Sequence, residues 1–286
     1  MGEEELVEMT GPARDLDLAR RAYKADDIAL SKEAHDGMAL LPSAREPHKG
    51  SSSQYIRNVV LGGMDGIITT FAIVAGVAGA SLDANYVLVL GFANVLADAI
   101  SMGLGDYTSS KAELQYELAE RKREYWEMEN YPEGELREMI EIYMSKGFSE
   151  EDAENIVRTM AKNKDFFVDH MMVQELGIMP PDPDEAVWKE GLVTFLSFIV
   201  FGCVPLLSFL ILSATSSSFG VQFGISCALT ALTLIVLGLL KSKMSGINYI
   251  SGTIGVLVTG VLAAAAAYFV GWLLSTVFDV SEGATS

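Results

Sequence analysis

Cysteine and histidine are scarce in this chain, at two and three of 286 residues. Cys203 and Cys227 lie in separate apolar stretches, with neither a CxxC nor a zinc-ligand spacing. That excludes a thiolate metal centre and a disulfide scaffold, and leaves both as helix-packing residues. The first residues mix charge with polarity, which is not the pattern of a secretory signal peptide. No pairing of nucleophile with base and no nucleotide-binding loop stands out, so the chain does not read as an enzyme. Positive charge is also short: 20 Lys and Arg stand against 38 Asp and Glu, for a net charge of −18. Such an excess of acid argues against nucleic acid and anionic membrane surfaces as partners.

A mean hydropathy of +0.29 is at odds with that charge in a single globule. It fits two phases, with apolar helices in a lipid bilayer and a strongly acidic part in water. Five apolar stretches are long enough to span: Val59 to Ala80, Val87 to Tyr107, Gly191 to Leu212, Phe219 to Leu240 and Ile247 to Phe278. The last is longer than a bilayer needs and should tilt or project. The fold class expected is therefore an all-α membrane protein. Five transmembrane helices carry a helical domain inserted between the second and third.

Orientation follows from the lysines and arginines. All 20 lie before the first span, between spans two and three, or at Lys241 and Lys243. None lies in 81–86, in 213–220 or after Phe278, and these segments face the opposite side of a five-span chain. By the positive-inside rule the N-terminus and the insert are cytosolic, and the C-terminus is lumenal or external. The expected organisation is 1–54, a mostly disordered cytosolic tail; 55–108, spans one and two; 109–189, a cytosolic helical domain; 190–280, spans three to five; and 281–286, a lumenal tail. Within the tail, a short helix is expected near Ala19 to Leu30, and Asp36 with Leu40-Leu41 resembles an acidic dileucine sorting signal. No internal repeat is evident.

The insert's first helix should continue from span two and stop before Tyr131-Pro132. A second should run from Glu133 to Lys146 and end at Gly147, a left-handed cap position. Ser149 with Asp152 predicts the start of a third helix, and a fourth segment covers Asp165 to Gly177. On the first of these, Glu113, Glu117, Glu120, Glu124 and Glu127 share an arc of about 80°. Glu135 and Glu138 repeat the spacing on the next helix. Met171, Met172 and Glu175 form a cluster in which two thioethers accompany a carboxylate, with His170 beside them. Oxygen ligands alone suit magnesium or calcium; added sulfur shifts preference toward softer transition ions. The alternatives are a solvated acidic face and methionines that merely fill a core.

Inside the membrane, Asp65 lies about 9 Å from the start of span one at 1.5 Å per residue. Met102 lies at nearly the same depth on span two. Asn94, Asp98 and Met102 follow one another at single turns down that helix. Intramembrane carboxylates are costly and usually mark an ion or proton path; the alternative is a hydrogen-bonded pair joining two helices. Gly62, Gly63 and Gly66 flank Asp65, permitting either close helix contact or local loosening.

These residues resemble a known family. G-G-M-D-G from Gly62 to Gly66, A-I-S-M-G-L-G-D-Y from Ala99 to Tyr107, K-R-E-x-x-E from Lys122 to Glu127 and M-M-x-x-E-L-G from Met171 to Gly177 occur in order. Together they are similar to the vacuolar iron transporter family, from about Tyr55 to the end of the chain. The resemblance implies a homodimer that exports ferrous iron from the cytosol in exchange for protons, into a vacuole or another acidic compartment. The resemblance further implies a secondary active transporter with no prosthetic group. Fe²⁺ is the implied ion, with Mn²⁺, Zn²⁺ and Co²⁺ as further ions and the lipid bilayer and protons as partners. It places metal-collecting ligands on Glu124, Glu127, Glu135, Glu138, Met171, Met172 and Glu175, with Glu113, Glu117 and Glu120 as additional candidates. Translocation residues fall on Asp65 and Met102. Two carboxylates of some plant members are replaced here by Asn58 and Asn94, which leaves Asp98 as the candidate proton relay. A manganese transporter of the same fold and a non-transporting membrane metal sensor are the competing readings; the polar path through lipid argues against the sensor.

Overall fold

The computed structural model describes residues 16–25, 27–30, 50–183, 185–212 and 218–278. Every regular element among them is helical. The acidic dileucine segment and the C-terminal tail lie outside the described residues, as does most of the N-terminal tail. Two units are present, Met1–Ser53 and Gln54–Ser286. In the first, α1 covers Leu16–Ala25, where the sequence predicts a short helix.

The second unit holds the apolar helices. α2 (Gly50–Gly79) opens just before it. α3 (Ala84–Asn130) is one unbroken helix of 47 residues, about 70 Å long at 1.5 Å per residue. Its first half is apolar and its second half is rich in glutamate, so a single rod joins the apolar helices to the acidic ones. Tyr131 interrupts it, and Pro132 starts α4 (Pro132–Ser145) at a first-turn position where its missing N–H costs nothing. α4 ends through Gly147 at φ +100°, a conformation that favours glycine. The Ser149 hydroxyl accepts from the Asp152 N–H at 3.2 Å and donates to the Asp152 carboxylate at 2.6 Å, capping α5 (Glu150–Met160). Asn163 caps α6 (Lys164–Met171) in the same way. Met172–Leu176 then form a π-helical turn closed by Gly177 in the left-handed region.

Leu136, Met139, Val157, Phe167 and Met171 form the buried core of these short helices. Each such side chain contributes about 1.5–3 kcal/mol when fully buried. Salt bridges at the rim pair Arg121 with Asp169 and Lys164 with Glu129, both at 2.7 Å, holding α6 against α3.

α7 (Trp188–Gly202) and α8 (Val204–Leu212) cover the third apolar stretch. The sequence suggests one span there, whereas the structure bends it by 42° at Cys203. Pro205 is the cause: it lacks an N–H and its ring crowds the preceding turn. Its own carbonyl accepts from the Ser226 hydroxyl at 2.7 Å, as interrupted helices in lipid require. α9 (Phe219–Ser245) and α10 (Tyr249–Phe278) complete the set. Among the described residues, four helices are long and apolar enough to cross a membrane, and five spans result if the bent pair is counted as one.

The glycines around Asp65 serve close packing. A Cβ on Gly62 would sit 2.8 Å from the Thr194 carbonyl oxygen, and one on Gly66 would sit 2.6 Å from that of Phe198. α2 thus lies directly on α7 and stays helical throughout, so of the two uses the sequence allows, helix contact is the one observed. Gly103 meets α7 similarly, where a Cβ would come within 2.9 Å of the Gly191 carbonyl oxygen. Small residues at such crossings are how helices associate in lipid.

Candidate metal centre

Three elements converge at the far end of α3. Glu124 lies on α3 and is fully buried, Glu135 lies in the first turn of α4, and Glu175 lies in the π-helical turn. One carboxylate oxygen from each lies within 4.8 Å of the other two. Bringing three acids together inside a protein costs free energy unless a cation compensates. Arg123 supplies part of this, donating to Glu124 Oε1 at 2.8 Å and pairing with Glu120 at 3.0 Å and Glu127 at 3.8 Å. The compensation is incomplete, because Glu124 Oε2 and Glu175 Oε2 are buried with no hydrogen-bond partner. Buried acceptors left open in this way are uncommon.

The electrostatics follow. Burial, and then the neighbouring Glu124, Glu127 and Glu138, pushes Glu135 up to about 7. Burial, and then Glu124, Glu138 and Glu135, pushes Glu175 up to about 7. Burial also raises Glu124, against the opposing hydrogen bond from Arg123. Proton binding near neutral pH is what an anionic cluster does when no metal neutralises it.

The other expected ligands are distributed around this centre. Glu138 is exposed and acts on Glu135 and Glu175 through space. Glu127 is half-buried against Arg123. Met171 and Met172 are fully buried, and Met171 belongs to the apolar core. Glu113 and Glu185 act on Glu117, apart from the triad, and Glu120 is held by Arg123. His170 is otherwise engaged: its Nε2 is hydrogen-bonded with the Tyr143 hydroxyl at 2.7 Å, and its ring stacks on Tyr143 and Phe166.

Within the apolar helices, Asp65 and Met102 line one cavity of about 570 Å³. Arg57, Met64, Lys241 and Met244 share its wall. Asn94 donates to Asp98 at 2.8 Å; neither residue is part of that wall, although Asp98 is close enough to Asp65 to act on it electrostatically. Two junctions had no signal in sequence spacing. Asp106 accepts from Asn58 at 3.1 Å and from Thr194 at 2.6 Å, joining α2, α3 and α7. Ser110 donates to the buried Glu190 at 2.9 Å.

The profile of the VIT family matches residues 56–272. The chain is 44% identical over 274 residues to a vacuolar iron transporter of Toxoplasma gondii, covering 92% of this chain and 90% of that one. It is 40% identical over 268 residues to one of Plasmodium falciparum, covering 92% and 97%. A vacuolar iron transporter 1 of Tulipa gesneriana is 34% identical over 229 residues, covering 80% and 90%. With a profile match across most of its length and relatives this similar over most of both chains, the chain belongs to the VIT family.

Proposed function

We infer that this chain is a divalent transition-metal transporter that exchanges ferrous iron for protons across the membrane of a vacuole or similar acidic compartment. The observation that carries the reading is the pairing of two carboxylate-bearing sites. One is a carboxylate triad with open buried oxygens outside the spans, and the other is the intramembrane cavity lined by Asp65 and Met102. The names of the relatives supply the ion and the compartment. The insert lies in the cytosol and gathers Fe²⁺ on Glu124, Glu135 and Glu175, aided by Glu127, Glu138, Met171 and Met172. Its raised carboxyl groups exchange protons for metal close to neutral pH. The ion then passes to Asp65 and Met102. A carboxylate must be ionised to hold a cation, so metal and proton compete for Asp65, and an acidic lumen favours release. Asp98, hydrogen-bonded by Asn94, relays the proton. The functional unit is a homodimer.

The test is metal flux into proteoliposomes under an imposed pH gradient. Fe²⁺ entry that dissipates the lumenal proton excess and delivers those protons to the outer medium supports antiport. Flux insensitive to the gradient would refute the exchange, and binding without flux would favour a membrane metal sensor.

A further inference from the structure

The wall of the Asp65 cavity carries more sulfur than the spacing on spans one and two suggests. On α2, Arg57, Met64 and Asp65 fall on one helix face with Ile68, and all four line the cavity. On α3 the contributor is Met102, and on α9 it is Met244, in the turn before Gly246 ends the helix. One carboxylate and three thioethers, drawn from three helices, therefore face one space of about 570 Å³. Met64 and Met244 are both half-buried. Met64 also packs against the core formed by Ile67, Leu234, Leu237 and Val256, so packing alone is the competing account of that residue. It does not extend to Met244, which lies outside that core.

We propose that Met64 and Met244 are specificity-determining residues of the membrane site, making it a sulfur-rich cavity that takes softer divalent ions in preference to harder ones. The proposal rests on the reading of Asp65 and Met102 as translocation residues and adds a third helix, α9, to that site. The physical argument is ligand softness. A single carboxylate provides charge but discriminates weakly between Mn²⁺ and Fe²⁺, whereas thioethers add polarizable donors that later, softer ions use better. The flexible methionine side chain also lets one cavity adjust to an ion in transit. Lys241 stands one turn before Met244 on the same wall. Its charge opposes a cation that dwells at the mouth, which suits a site of passage rather than storage.

The experiment compares M64L, M244L and the double variant with the parent in proteoliposomes, with Fe²⁺, Mn²⁺ and Cd²⁺ offered separately under one pH gradient. Met to Leu conserves volume and apolarity, so packing is little changed. The expected result is a fall in the Fe²⁺ to Mn²⁺ and Cd²⁺ to Mn²⁺ flux ratios on the order of 3–10-fold, because the softer ions lose more when thioether donors are removed. Unchanged ratios in M244L overturn the proposal. If the double variant does not fold, M244L alone decides, since it lies at a helix end outside the core. D65N is run alongside. Full flux through D65N would remove the reading on which this rests, whereas dead D65N with parental ratios in M244L would remove the thioether proposal alone.

Discussion

Glu124 and Glu175 each bury an Oε2 atom with no hydrogen-bond partner, and the two side chains bring carboxylate oxygens within 4.8 Å of one another. One comes from near the C-terminal end of a long helix and the other from a π-helical turn some fifty residues later. Such turns widen a helix locally and are frequent at functional sites. Here the turn, held by the Ile178 N–H on the Met172 carbonyl at 2.9 Å, sets Glu175 opposite Glu124.

Removing one member should therefore separate metal binding from folding. Glu175→Gln keeps the size of the side chain but removes its charge. The full-length protein in detergent should lose at least about tenfold in affinity for Fe²⁺ or Mn²⁺ at this site, as expected when a charged donor is lost from a small ligand set. Metal-free thermal stability should rise, because repulsion from Glu124 and Glu135 is relieved. Calorimetry and thermal unfolding check both, and unchanged affinity would reduce the triad to a tolerated acidic cluster.

The pH dependence has a definite sign. Glu135 and Glu175 are raised to about 7 in the folded chain, against about 4.3 when unfolded. Between those values the folded state binds more protons than the unfolded one, so metal-free stability is highest at the acid end and falls as pH rises toward 7. Bound metal should abolish that fall by replacing the protons. Metal binding at pH 6 should release more protons than at pH 8, as measured by calorimetry in buffers of different ionisation enthalpy.

At Asp65, the Asn substitution removes a titratable group while nearly keeping its volume. Flux should collapse, whereas metal binding at the triad persists, because the two sites lie on separate parts of the chain. Asp98→Asn should alter the proton dependence of flux more than its maximum. Metal uptake in vesicles with a trapped pH dye reads both; pH-coupled flux through the Asp65→Asn protein would end the shared-carboxylate mechanism.

Orientation is open to direct attack. Protease on the cytosolic face should cut between Thr108 and Lys189, and a tag after Ser286 should be protected. A tag removed together with the insert would require an even number of crossings.

Gly66→Val tests the helix contact that fixes Asp65 on its face. A Cβ there would lie 2.6 Å from the Phe198 carbonyl oxygen, which is backbone and cannot step aside. The variant should lose about 1–3 kcal/mol of stability through overpacking. Gly105→Ala, where a Cβ meets nothing within 4 Å, should instead leave stability unchanged or raise it by up to about 1 kcal/mol in the same thermal assay.

Much of this architecture is written locally, and local signals are legible in a sequence. Runs of apolar residues decide which helices can enter lipid. Tyr131-Pro132 ends α3, Gly147 ends α4 and Ser149 opens α5 through preferences of single residues and their immediate neighbours. Helical periodicity also places Glu113 through Glu127 on one face. It does not say which of those acids meet. Glu124 is chosen because α3, α4 and the π-helical turn converge there, while Glu113 and Glu117 lie elsewhere along the same face beside Glu185. The anchoring of Asp106 by Asn58 and Thr194 and the entry of Met244 into the Asp65 cavity also depend on how helices distant in sequence cross. Periodicity specifies a direction around one helix axis, whereas a site requires the angles and separations between several. Those are decided by close contacts such as Gly62 on Thr194 and Gly66 on Phe198, which exist only once the helices have packed.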